Sequence, residues 1–178
     1  MYYTIFPTRW GYFGLVARGE ALCRTSLPNP RREAAEAALL GDPATGPGTA
    51  EFDPELFGDL QSRIVAYYEG RPQAFDVDPP IDLGDFTTFE RDILTACRRV
   101  GLGQTTTYAR LAEQIGRPGA ARAVGNVMAA NPVPLIVPCH RVLRCGGGLG
   151  GFSGFGGAGT KLAMLQHEQA MTDVASRV

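Results

Sequence analysis

The chain has 178 residues, 44% hydrophobic and 20% charged, with a net charge of −1. That is enough apolar material for one large domain or two small ones without a disulfide scaffold. No apolar run nears the roughly 18 residues of a membrane span, and the first twenty residues lack the basic start, apolar stretch and cleavage site of a signal peptide. The composition therefore predicts a soluble, cytoplasmic protein. Its four cysteines, Cys23, Cys97, Cys139 and Cys145, show no CxxC spacing, and with two histidines in the chain no metal site is expected. The near-neutral charge hides a split. Residues 1–85 carry 7 Lys/Arg and 13 Asp/Glu, and residues 86–178 carry 10 and 5, so the second half is where an anionic partner would dock.

The opening "YYTIFPTRWGYFGLVARGEALCRTSL" is rich in β-branched and aromatic residues, with Gly11 and Gly19 as turn points, and predicts short antiparallel strands. A helix is expected over Arg32 to Leu40, then a loop through "GDPATGPGTAEFDP". Asp53 followed by Pro54 reads as a helix start, with Leu56, Leu60, Ile64 and Tyr67 at helical spacing up to Gly70. The proline-rich "RPQAFDVDPPIDLGD" breaks the helical pattern and predicts a link between subdomains, with the boundary near residue 80.

Past the link, Phe89, Ile93, Cys97 and Val100 mark one face of a helix entered at Thr87 or Thr88, which makes Cys97 a core residue. Helices are then expected from about Thr107 to Ile115 and from about Ala120 to Ala130, joined by a turn at "GRPG". The pattern matches a helix-turn-helix, although many such hairpins bind nothing. The second helix is built of small residues with Arg122 as its charged side chain, which suits close approach to a surface.

In "NPVPLIVPCHR", prolines 132, 134 and 138 predict an extended segment, and Leu135–Val137 a short buried strand that ends at Cys139. A free thiol is mostly protonated at neutral pH, so a nucleophilic Cys139 needs a base, and His140 is adjacent. On residue types alone an inert core thiol stays open. The glycine-rich Cys145–Gly159 contains a GxGxxG match, but nine glycines in fifteen residues fit many patterns and no strand-turn-helix surrounds it, so no nucleotide cofactor is expected. It reads instead as a lip whose backbone can approach a ligand. Beyond it, Leu162, Leu165 and Gln169 are expected on one side of a C-terminal helix, with His167 and Glu168 near its end.

Taken together, "TTTYARLA", "AARAVGNVMAANP", "NPVPLIVPCHRV", "GGFSG" and "KLAMLQHE" resemble the alkylguanine-DNA alkyltransferases, from about residue 86 to 168 and only faintly before that. The resemblance implies an α+β fold: an N-terminal α/β subdomain over 1–80, and a mostly helical DNA-binding and alkyltransferase domain over 86–178. It implies that Cys139 accepts an alkyl group from O6-alkylguanine in double-stranded DNA, once per molecule and with no cofactor. His140 would draw off the thiol proton through a water, Glu168 would fix the imidazole tautomer, and Asn131 would tie the helical hairpin to the active-site segment. The base must be flipped out of the duplex. Arg122 would fill its place in the stack and Tyr108 would crowd the phosphate, with Ala121 and Gly125 on the same DNA-facing surface. Val142, Ser153, Phe152, Met128 and Pro134 would line the base pocket. A monomer is implied, with no membrane partner.

The chain departs from the family pattern in several places. Phe152 stands where tyrosine is common, Leu94 where tryptophan is, and "GLGQ" where a proline-x-glycine-glutamate turn is; the lip between Gly154 and Lys161 is about two residues longer, and zinc positions seen in some relatives have no match. Two rival functions are weighed: a non-enzymatic, alkyltransferase-like lesion binder, which would lack Cys139, and a cysteine hydrolase using Cys139, His140 or His167, and Glu168, which would turn over.

Overall fold

The computed structural model describes residues 1–41 and 50–175. The chain divides into two units, Met1–Gln73 with Val77–Asp82, and Ala74–Asp76 with the residues from Leu83 onward. The architecture is α+β, a small sheet with helices.

The first unit is built on an antiparallel meander, β1 (Tyr2–Thr8), β2 (Gly11–Arg18) and β3 (Ala21–Asn29). Two-residue turns pair Thr8 with Gly11 and Arg18 with Ala21, so the expected hairpins form at the two glycines. The central strand β2 is buried over Phe13–Ala17 because both of its faces are covered. Phe13 packs on Phe6 and on Tyr68 of α2 (Gly58–Tyr68), while Val16 joins Ile5, Ala35 and Leu39 under α1 (Arg32–Leu40). Gly14 permits this second contact, since a Cβ there would lie 2.8 Å from each of Ile5, Leu39 and Ser26.

Two expectations in this unit need correction. Part of the predicted loop, Glu51–Phe52, is a two-residue strand (β4) that pairs in parallel with Tyr2–Tyr3, because the Met1 and Tyr3 carbonyls accept from the Glu51 and Asp53 N–H groups; residues 42–49 of that loop lie outside the described residues. Asp53 does not cap a helix. Its Oδ1 accepts from the Glu55 N–H at 2.9 Å in a turn, Phe57 adopts a left-handed φ of 53°, and α2 begins only at Gly58. Leu60, Ile64 and Tyr67 still form its buried face.

In the proline-rich stretch, Phe75 is buried with the second unit and its carbonyl accepts from Arg98 Nε at 2.8 Å. Residues 80–82 instead hydrogen-bond along β3 at Leu22.

The second unit opens with α3 (Thr88–Arg98), whose start is Thr87: its hydroxyl accepts from the Glu90 N–H while the Glu90 carboxylate accepts from the Thr87 N–H. Its buried face carries Ile93, Leu94 and Cys97. The next two helices are α4 (Tyr108–Gln114), capped by Thr107, and α5 (Ala121–Ala129), each within about a residue of the expected bounds. Gly116 and Gly119 bracket the turn between them at φ of 69° and 88°. A two-residue parallel pair, β5 (Thr106–Thr107) with β6 (Val142–Leu143), brings the start of α4 beside the segment that follows Cys139. The last helix, α6 (Gly157–Ala175), is longer than expected, which places Glu168 inside it and not at its end. Its buried positions are Lys161, Met164, Glu168 and Met171; Leu162 and Gln169 face outward. The apolar pattern misplaced this face because two of its buried side chains are charged.

Among the described residues no helix is long and apolar enough to cross a membrane, and no cluster of His, Cys, Asp or Glu is placed to hold a metal ion.

Candidate active site and nucleic-acid interface

The segment before Cys139 is not a strand. Pro134 bridges to Val137, Leu135 takes a left-handed φ of 77°, and the Val137 N–H donates back to the Val133 carbonyl at 2.9 Å, so the chain folds into a compact turn. The prolines explain the difference: Pro134 and Pro138 have no N–H to give to a ladder, which a buried strand would require. Asn131 holds the turn from inside. Its Nδ2 donates to the Val137 carbonyl at 2.8 Å and its Oδ1 accepts from the Val133 N–H at 3.1 Å. Cys139, His140 and Arg141 then form one turn of 3-10 helix, where successive side chains diverge by about a third of a turn instead of alternating as on a strand.

All three of these residues are buried. His140 Nε2 lies 2.8 Å from Glu168 Oε1, and Arg141 donates to the same carboxylate through Nε and Nη2, with Oε2 also accepting from the Gly103 N–H at 3.1 Å. Arg141 Nη1 donates to the Val100 carbonyl. Burial pushes the Glu168 carboxyl up, but the hydrogen bonds and charges of His140 and Arg141 outweigh it and hold the group down at about 2. Glu168 is therefore ionised. An ionised carboxylate only accepts, so Nε2 of His140 carries the proton and Nδ1 keeps its lone pair. That Nδ1 is buried with no hydrogen-bond partner among the described residues. Burial also pushes the His140 pKa below its ordinary value, with Glu168 opposing, so the ring rests neutral.

Burial pushes the Cys139 thiol up, and the Asn131 side chain, the Lys161 charge and the backbone N–H groups of Cys139 and His140 pull it partway back. Lys161 is the chain's sole lysine and is fully buried. Its Nζ donates to the Val142 carbonyl at 2.6 Å and sits 5.9 Å from the centre of the Tyr108 ring. Burial pushes this amine down.

Cys139 opens onto a cavity of about 570 Å³. Of the residues singled out from sequence, Tyr108, Ala121, Arg122, Gly125, Met128, Phe152 and Ser153 line it with the thiol. Asn131, His140 and Glu168 stand behind it, in the turn and the buried ion cluster. Pro134 does not line it, being occupied in the turn, and Val142 is fully buried with its carbonyl already engaged by Lys161. Ser153 is fixed by donating to the Ala129 carbonyl at 2.9 Å.

Sequence reading passed over Arg144, Asn126, Ala129 and Gly151 in the cavity wall, and the structural parts played by Lys161 and Arg141. One signal was present. Lys161 and Glu168 are seven residues apart, two helical turns, and so share a face; the only lysine in a chain of sixteen arginines marks that face as unusual.

Fold and site together define a class: an α+β protein with a buried cysteine at the floor of a basic-rimmed cavity, backed by a histidine–glutamate pair. Residues 88–170 match the family model described as the DNA binding domain of 6-O-methylguanine DNA methyltransferase. The chain is 40% identical to methylated-DNA–protein-cysteine methyltransferases of Shigella flexneri (62% of this chain, 63% of that one) and Mycobacterium bovis (66% and 68%). A crystal structure of Mycobacterium tuberculosis OGT in complex with DNA is similar over 96% of this chain and 94% of that one, at 30% identity and a TM-score of 0.79. The chain belongs to the methylated-DNA–protein-cysteine methyltransferase family. The structural likeness reaches well before residue 86, where the sequence resemblance was faint.

Proposed function

We propose that this protein repairs DNA by taking the alkyl group of O6-alkylguanine irreversibly onto Cys139, one group per molecule, as a monomer in the cytoplasm. The observation that carries the reading is the thiol at the base of a cavity lined by Tyr108 and Arg122, with a neutral His140 held by Glu168 beside it. In the transfer, Cys139 Sγ attacks the alkyl carbon, the carbon–O6 bond breaks, and guanine leaves with its electron pair. The thiol proton passes through a water to His140 Nδ1, the lone pair that the Glu168 contact leaves available. Because burial keeps the thiol protonated at rest, attack and proton removal belong to one activated step.

In this reading α4 and α5 form a helix-turn-helix that approaches the minor groove, with Ala121 and Gly125 giving close contact. Arg122 enters the stack where the target base was, and Tyr108 crowds its phosphate. Phe152, Ser153 and Met128 bound the base. Asn131 fixes the turn that presents Cys139. The DNA-binding and alkyltransferase part is taken as residues 86–178, and residues 1–80 as the N-terminal α/β part.

Incubation with a duplex carrying O6-methylguanine, followed by mass mapping of cysteine peptides, tests the proposal. The expected product is one methyl on the Cys139 peptide and none elsewhere. Bound lesion with unmodified Cys139 would favour a lesion binder, and repeated turnover would favour a hydrolase.

A further inference from the structure

We propose that Arg144 holds a backbone phosphate adjoining the extruded nucleotide, a second DNA contact at the cavity mouth alongside Arg122. The inference rests on reading this cavity as the site for the alkylated base. Arg144 follows β6 directly and lines the same cavity as Cys139, Tyr108 and Arg122, a wall that includes no Asp or Glu. Its backbone is pinned: its N–H donates to the Gly148 carbonyl at 2.8 Å, and its carbonyl accepts from the Gly147 N–H at 3.0 Å. Gly146 and Gly147, at φ of 87° and 84°, make the tight turn that these bonds close. The Arg144 stem lies over Gly148, where an added Cβ would be 3.7 Å from Arg144 Cβ and Cδ.

Only the guanidinium is left to act. Arg144 is exposed, and among the described residues its guanidinium makes no ion pair or hydrogen bond. Its charge is felt by Tyr108, which lines the same cavity. When a base enters such a cavity, its sugar and flanking phosphates stay at the mouth, because the glycosidic bond allows no greater separation. A free guanidinium at that mouth meets a phosphate with five donors in a planar fork. Arg122, carried by α5, is engaged in the stack in this reading, so the phosphate falls to Arg144.

The test uses the full chain as wild type, Arg144→Gln and Arg144→Lys. Binding to an O6-methylguanine duplex is measured against salt with each form carried in a Cys139→Ser background, where the lesion can bind but not react, and single-turnover transfer is measured with Cys139 intact from the same duplex and from free O6-benzylguanine. Losing one phosphate contact should reduce the slope of log K against log salt by about 0.9, and Arg144→Lys should restore the slope. Arg144→Gln should slow duplex transfer at least about tenfold more than transfer from the free base, a gap of roughly one charge-assisted hydrogen bond. An unchanged salt slope with Arg144→Gln would overturn the assignment, as would equal losses on duplex and free base. If wild type binds duplex but transfers nothing, the alkyl-transfer reading fails while the salt slope still decides the phosphate contact.

Discussion

Replacing Glu168 by glutamine tests the ion cluster behind Cys139 with almost no change in shape. Four N–H donors converge on its two oxygens: His140 Nε2, Arg141 Nε, Arg141 Nη2 and the Gly103 amide. A carboxamide offers one oxygen, so at least one donor would face an NH₂ group, and the Arg141 charge would lose its counter-ion while 5% exposed. Two routes give the size of the loss. Leaving one member of a buried ion pair uncompensated costs about 3–5 kcal/mol. Independently, a carboxyl held at about 2 against an ordinary 4.5 contributes about 3 kcal/mol to stability where it is ionised.

The pH dependence has a definite sign. The folded pKa lies below the unfolded one, so the unfolded chain binds more protons in this range and stability falls as pH falls. The contribution is complete above about pH 4.5 and is lost as pH drops toward 2. His140, whose pKa is also depressed, destabilises the fold as pH falls below its ordinary 6.5; Glu168→Gln retains that histidine but removes the carboxylate that supports its protonation, so the fall near pH 6 is at least as large in the variant, and the carboxylate's own loss is read below about pH 4.5. Urea unfolding followed by far-UV circular dichroism from pH 7 to 2.5 should show Glu168→Gln weaker by about 3 kcal/mol at pH 7, the gap closing below pH 4. A gap under about 1 kcal/mol, or one constant across the range, would sink the account of Glu168 as an ionised hub.

Three further substitutions probe the cavity. Lys161→Met removes the cation that helps lower the Cys139 thiol, so the pH profile of iodoacetamide alkylation, read on the Cys139 peptide, should move to higher pH; an unmoved profile would show that the amine does not act on the thiol. Gly150→Ala places a Cβ 2.9 Å from Tyr108 Oη at a φ of 74°, and should cut duplex transfer about tenfold or more, a loss of about 1.4 kcal/mol. Gly19→Ala, in the β2–β3 turn with φ of 58° and nothing within 4 Å, bears only the backbone cost and is the control; equal loss in both would discount the Tyr108 contact. Phe152→Tyr supplies a hydroxyl at the cavity wall, and one hydrogen bond of about 1 kcal/mol to the departing guanine should raise the single-turnover rate about fivefold, whereas an unchanged rate would mean that the hydroxyl does not reach the leaving group.

What could be read from sequence was what local rules determine. Hairpins at Gly11 and Gly19, the capped start at Thr87 and the paired helices around "GRPG" depend on neighbouring residues, and they appear where turn and capping chemistry put them. The misreadings share a different cause. A parallel partner for Glu51–Phe52 comes from residues fifty positions away, and the turn before Cys139 depends on Asn131 reaching six residues ahead to Val137. In α6 the apolar pattern pointed to the wrong face because Lys161 and Glu168, polar in any scale, are buried by partners on the Cys139 turn and β6. Burying a charge costs several kcal/mol unless a partner is already positioned. The face of α6 is thus set by Arg141, His140 and the Val142 carbonyl, not by its own periodicity. The cavity shows more than its motif for the same reason. The motif supplies the thiol, its base and Arg141, but the buried ion cluster is completed by the Gly103 N–H and the Val100 carbonyl, neither of which "PCHR" identifies.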